Sequence, residues 1–142
     1  MFITKESDYA LRILSNLLSG EQKTTKEICE KEYTPKQFAY KIIKKLAKGG
    51  LITITRGNGG GCRLSCDLKQ VSFYDFLQIM EGNCLLSACM SSDFPCMRRQ
   101  KNSNYCSVHN NLFHIQQAIN QELKSHSLYE ILNNSCDIAN HS

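Results

Sequence analysis

The stretch TTKEICEKEYTPKQFAYKIIKKLAKGGLITITRGNGGGCRL, Thr24 to Leu64, decides the fold. Thr24 and Glu27 have the spacing at which each side chain satisfies an amide left free at a helix start, so a short helix is expected over about 24–32. A second start follows at once: Thr34 as N-cap, Pro35 at the first helical position and Gln37 completing another capping box. That helix should run to Lys48 and stop at Gly49-Gly50. Leu51 to Thr55 is rich in β-branched residues and reads as a strand, Arg56 to Gly61 as a glycine turn, and Cys62 to Leu64 as the returning strand. Two short helices joined by about two residues and followed by a hairpin make a winged helix-turn-helix.

Outward from this unit, apolar pairs at helical spacing place a first helix over 5–19, with Thr4 as its cap and Gly20 at its end. Ser72 opens a further helix closed by Gly82, a long helix covers about 107–125, and a short segment at 128–132 packs back. The tail after Asn133 reads as frayed. The expected class is mostly α with a small β-hairpin, a winged helix-turn-helix plus a long dimerisation helix. The expected divisions are a winged-helix DNA-binding domain over 1–82, a cysteine-rich cluster-binding loop over 83–106, and a dimerisation helix with C-terminal tail over 107–142.

Charge is unevenly placed. Residues 1–66 carry 12 Lys and Arg against 6 Asp and Glu, whereas residues 67–142 carry 5 against 7, which together give the net +4. On the helix after Pro35, Phe38, Ala39, Ile42, Ile43 and Leu46 share one face, while Gln37, Lys41, Lys44 and Lys48 project from another. A helix with one apolar and one cationic face suits phosphate contact, and the order helix, turn, helix, hairpin favours DNA over a merely solvated charged face. Lys36, Gln37 and Tyr40 are the candidates to reach base edges, with Lys41 and Lys44 on phosphates. Gly57 and Gly59 make a slim wing tip, and Arg56 is the candidate for a narrow minor groove. The glycine turn lacks a Gly-Lys-Ser/Thr ending and does not precede a helix, which counts against a nucleotide P-loop.

Eight cysteines are many for an intracellular chain. Lys5, Glu6, Asp8 and Arg12 interrupt the N-terminal apolar residues, so no signal-peptide core is present, and no run is long enough to cross a bilayer. A reducing cytoplasm is therefore expected, where clustered thiols point to metal or redox chemistry. Cys84, Cys89, Cys96 and Cys106 crowd one segment, and His109 follows the last of them at a helix start. The absence of any Cys-x-x-Cys pair counts against a zinc ribbon, a thioredoxin-like site and a bacterial ferredoxin. An iron–sulfur cluster, 2Fe–2S or 4Fe–4S, remains the leading expectation, with a Cys3His zinc site or thiol chemistry as the alternative. Cys29 reads as core, while Cys62, Cys66 and Cys136 have no partner at a telling spacing, and His114, His126 and His141 read as surface residues. No nucleophile–base–orienter set supports an enzyme.

Met1 to Arg12 (MFITKESDYALR) and Arg56 to Leu64 (RGNGGGCRL) resemble the opening and the wing of the IscR/NsrR-type (Rrf-two) family of bacterial regulators. Leu77 to Gly82, ending Met-Glu-Gly, resembles the family's segment before its cluster loop, and Cys89, Cys96, Cys106 and His109 resemble the three-cysteine loop itself. The resemblance implies a homodimeric winged-helix repressor or activator, often carrying an iron–sulfur cluster. It also implies a rival to His109 for the fourth ligand position: Asp8, because part of the family reaches the cluster with an acidic residue here from the other subunit. Cys62 departs from the bulky aromatic usual in the wing, and the loop spacings of six and nine residues are longer than usual.

Leu112, Ile115, Ile119 and Leu123 form a narrow apolar stripe on the long helix, like a coiled-coil seam. A homodimer about that stripe would present two recognition helices to pseudo-palindromic double-stranded operator DNA.

Overall fold

A computed structural model of the chain describes residues 3–133. Cys136, His141 and the tail expected to fray lie outside the described residues. Seven α-helices, a two-stranded antiparallel hairpin and two short 3-10 turns follow in the order α1 (Lys5–Asn16), α2 (Thr25–Glu32), α3 (Lys36–Lys48), β1 (Ile52–Thr55), β2 (Gly61–Leu64), α4 (Phe73–Glu81), α5 (Met97–Lys101), α6 (Ser107–Ser125) and α7 (Leu128–Leu132). The mostly helical class with one small hairpin is as the sequence indicates.

The capping chemistry explains most boundaries. Thr24 and Glu27 form the reciprocal box that opens α2, and Ser72 and Asp75 form another at α4. Thr4 caps α1 through the amide of Ser7. Two expectations need correction. The first helix ends at Asn16, short of residue 19, because Leu17 leaves helical geometry and Gly20 turns the chain at φ +80°. Thr34 does not cap α3. It is buried, its hydroxyl donates to the Glu32 carbonyl, and Pro35 takes the N-cap position.

In the hairpin, Ile52 faces Leu64 and Thr55 faces Gly61. Lys23 adds a bridge on the outer side of β2, exchanging amide–carbonyl bonds of 3.0 and 2.8 Å with Cys62. Gly61 is required there, since a Cβ would lie 2.5 Å from the Lys23 carbonyl oxygen.

One apolar cluster joins these elements. Ala10, Ile13 and Leu14 of α1, Ile42 and Leu46 of α3, and Phe76 and Leu77 of α4 are fully buried together. Each large side chain among them contributes roughly 1.5–3 kcal/mol of transfer free energy. Leu128 and Leu132 of α7 complete the same cluster. The chain returns to it through a short pairing: Phe73 N–H donates to the His126 carbonyl and Leu128 N–H to that of Val71, at 2.8 and 2.7 Å. The cysteine-rich segment and α6 thus lie between two parts of one core.

Candidate nucleic-acid interface and cysteine loop

The start of α2, the outward side of α3 and the hairpin enclose a cleft of about 470 Å³. Lys26, Lys36, Lys44 and Arg56 stand around it, and Ile43, Ile54 and Cys62 line its apolar part. Among the described residues, no carboxylate lies within ion-pair distance of Lys36, Lys44 or Arg56. Their charge is therefore uncompensated locally, which suits an anionic backbone. The wing tip follows from its glycines: Gly57 and Gly59 adopt φ +92° and +76°, and the Gln22 side-chain amide donates to the Gly59 carbonyl.

Lys36, Gln37, Tyr40, Lys44, Arg56, Gly57 and Gly59 are all exposed around this cleft or beside it. Lys41 stands apart from them. Its Nζ lies 3.1 Å from a Glu6 oxygen, and Lys45 approaches the other oxygen at 2.8 Å while donating to the Met80 carbonyl at 2.8 Å. The Lys45 hydrogen bond, assisted by Lys41, outweighs burial and holds the Glu6 carboxyl below its ordinary range. A neighbouring acid, Glu81, accepts from the amide and hydroxyl of Thr4 and from the fully buried Ser7 hydroxyl. Burial pushes its pKa up, but the Ser7 and Thr4 hydrogen bonds prevail and it too is lowered. Sequence reading missed both acids, because each partner is more than thirty residues away and periodicity reports only local faces.

The segment after Gly82 is more ordered than a plain loop. A 3-10 turn spans Ala88–Met90, and α5 begins at Cys96 as N-cap. The seven described cysteines are free thiols. Cys84 is buried in the main core, and burial raises its pKa, as it does those of Cys29, Cys62 and Cys66. Cys106 behaves oppositely. It precedes α6, and although it forms no full capping bond, the His109 amide lowers its pKa, followed against burial by the Val108 amide, Arg98 and Arg99. His109 Nδ1 is buried with no hydrogen-bond partner among the described residues.

Cys106 and His109 thus offer a thiolate-prone sulfur and a vacant nitrogen at one helix start. Cys89 and Cys96 are half-buried, with the Cys89 sulfur 3.3 Å from the Ser87 hydroxyl. Asp8 lies on α1, paired with Arg12 at 2.9 Å, both half exposed. Among the described residues, no three His, Cys, Asp or Glu side chains converge closely enough to hold a metal ion. The donor chemistry fits a thiolate-ligated group, and two of its candidate donors, Cys106 and His109, stand at the start of α6.

The long helix attaches this segment to the core. Gln116, nearly fully buried, accepts from the Leu86 amide at 2.7 Å and donates to the Cys84 carbonyl at 2.9 Å. Of the apolar stripe, Leu123 packs against the protomer's own core, Leu112 and Ile119 are half-buried, and Ile115 is 51% exposed. Val108, on the same flank as Ile115, is equally exposed. No helix among the described residues is long and apolar enough to cross a membrane.

A winged helix with a cationic cleft and a cysteine segment defines a class of regulator, and family comparison agrees. Residues 3–134 match the family model described as Rrf2, iron-dependent transcriptional regulator, and the chain belongs to that family. It is similar to the HTH-type transcriptional regulator NsrR of Bacillus subtilis strain 168, at 29% identity over 96 residues, covering 66% of this chain and 66% of that protein. The chain spans 61% and 66% of the length of two curated relatives it matches. Its fold resembles that of a transcriptional regulator from Listeria innocua, with TM-score 0.69 and 20% identity, covering 99% of this chain and 92% of the other. It also resembles CymR, the global cysteine regulator of B. subtilis, with TM-score 0.66 and 19% identity, covering 92% and 95%.

Proposed function

We propose that this chain is a homodimeric, DNA-binding transcription regulator whose operator affinity is controlled by an iron–sulfur cluster. The observation that carries the DNA reading is the cleft between α3 and the wing, ringed by Lys26, Lys36, Lys44 and Arg56. Phosphates along one strand meet this cationic rim, while Gln37 and Tyr40 are positioned to read base edges. Arg56 beside the glycine tip is the proposed minor-groove contact.

The cluster reading rests on family membership and on the Cys106–His109 pair. Cys89, Cys96 and Cys106 are the proposed thiolate ligands, with His109 or Asp8 as the fourth. When bound, a cluster supplies an anionic, redox-active group. The start of α6, with Arg98 and Arg99 nearby, is electrostatically suited to that charge. No three of these donors converge among the described residues, so ligation would require the chain between Gly82 and Cys106 to rearrange, while Gln116 holds Cys84 and Leu86. The exposed flank of α6, with Leu112, Ile115 and Ile119, is the proposed dimer seam. Leu123 would extend it from its place against the protomer's core.

Anaerobic purification tests the reading. The expected result is brown protein with bound iron and sulfide, lost in Cys106→Ala, whose DNA affinity changes when the cluster is removed. That affinity should fall about a thousandfold or more between 50 and 200 mM salt, for roughly six phosphates contacted. A second reading is a winged-helix protein with structural zinc or a thiol switch; seven described free thiols, with no three donors converging among the described residues, favour the thiol switch within it. Colourless anaerobic protein with stoichiometric zinc would decide for zinc, and colourless, metal-free protein for the thiol switch.

A further inference from the structure

Tyr33 occupies a backbone position at which its residue type is out of place. It ends α2 in the left-handed region, with φ 52° and ψ 38°. Among the described residues, three that are not glycine have positive φ: Tyr33, Ser103 and Asn104. The other two are short polar residues, and asparagine visits this region readily. For a bulky aromatic it is an outlier. The turn demands it nonetheless. The amides of Tyr33 and Thr34 both donate to the Cys29 carbonyl, Thr34 is buried behind them, and the Glu32 carboxylate is held by Asn16 Nδ2 at 2.6 Å. Glycine is the ordinary residue at such a helix end.

The ring gains nothing from the protomer in return. Tyr33 is 91% exposed, more than any other large apolar or aromatic side chain described. It stands on the turn that delivers the start of α3, where Pro35, Lys36 and Gln37 are exposed too, and Lys36 lines the cleft. A phenolic hydroxyl beside lysines at the entry of a recognition helix is a phosphate-binding arrangement.

We propose that Tyr33 is a DNA-contact residue whose Oη donates a hydrogen bond to a phosphate oxygen where α3 enters the major groove. This rests on the DNA-binding reading above. Backbone strain at Tyr33 is then offset only in the complex, as at other functional outliers. The contact is neutral and displaces no counterion, so its loss lowers affinity without changing the salt slope. It also acts on the backbone, so it is felt on DNA of any sequence.

Tyr33→Gly and Tyr33→Phe in the full chain test this, read by thermal unfolding and by titration with a mixed-sequence duplex at two low salt concentrations. Tyr33→Gly should raise Tm by roughly 2–6 °C as the strain is relieved. It should weaken DNA binding about 3- to 10-fold, the range for one lost hydrogen bond, with the wild-type salt slope. Tyr33→Phe should leave Tm in place and weaken binding by a similar factor. Wild-type affinity in Tyr33→Phe overturns the proposal, as does a Tyr33→Gly variant that loses stability and affinity together. Wild-type protein that fails to bind the duplex overturns the DNA reading itself, a result distinct from a variant matching a wild type that binds.

Discussion

Glu6 on α1 is an ion-pair partner of Lys41 on α3, with 3.1 Å between carboxylate and ammonium. The lysine is two-thirds exposed, so part of its charge still faces solvent, but in the proposed complex the acid would compete with phosphate for it. Glu6→Gln should therefore tighten DNA binding and steepen the salt slope by about one unit, as one more lysine engages phosphate. Its cost to stability should be about 0.5–1 kcal/mol, small because both lysines are partly solvated. The lowered Glu6 pKa contributes stability that is present above the unfolded value of about 4.3 and lost as pH falls through the lower folded value. Urea unfolding should thus show wild type and Glu6→Gln converging as pH falls below the unfolded value. Unchanged affinity and slope would mean that Lys41 has no phosphate to meet.

Gln116 is expected to act as the clasp of the cysteine segment. Gln116→Leu keeps the volume and strands the Leu86 amide and the Cys84 carbonyl. The expected loss is roughly 1–3 kcal/mol, with faster hydrogen exchange at the Leu86 amide than at amides in α1. Exchange unchanged at Leu86 would show that α6 does not fix the segment.

Leu128 lies far along the chain from the cleft but is fully buried in the shared core. Leu128→Ala should cost about 2–5 kcal/mol. DNA binding should fall only in proportion to the unfolded fraction. A loss of affinity in fully folded variant protein would contradict a purely structural role.

His126 sits between Glu122 and Glu130, at 2.9 and 3.1 Å. The Glu122 hydrogen bond, then that of Glu130, raises its pKa. The linked stabilisation is fully present below the unfolded value of about 6.5 and is lost as pH rises through the folded one. An NMR titration should place the imidazole above that value at low salt and closer to it at high salt. His126→Gln should flatten the dependence of Tm on pH across that window.

Much of this fold is legible in local sequence because its signals are local. The Thr24–Glu27 box, the span of α6 and the closing Gly82 are each set by neighbouring residues. Thr34 reads as a cap by spacing, yet tertiary packing buries it and leaves Pro35 to begin the helix. Lys41 shares an outward helical face with Lys44, yet an acid thirty-five residues away claims it. Periodicity reports which face is polar; it does not report who meets it. The same limit applies to the cysteines. Their types and order point to ligation, but whether they assemble depends on tertiary contacts of the segment, such as those Gln116 makes with Leu86 and Cys84.

That anchoring has an evolutionary consequence. The segment from Asn83 to Tyr105 leaves a core at Cys84 and rejoins it through α6 and α7, so it behaves as an insert within a closed frame. Adding residues to such an insert costs little, since doubling a loop adds only about 0.6 kcal/mol of closure entropy. Gaps of six and nine between its thiols can therefore arise without disturbing the frame that carries α3 and the wing. A scaffold of this kind can alter its insert while leaving α3 and the wing unchanged.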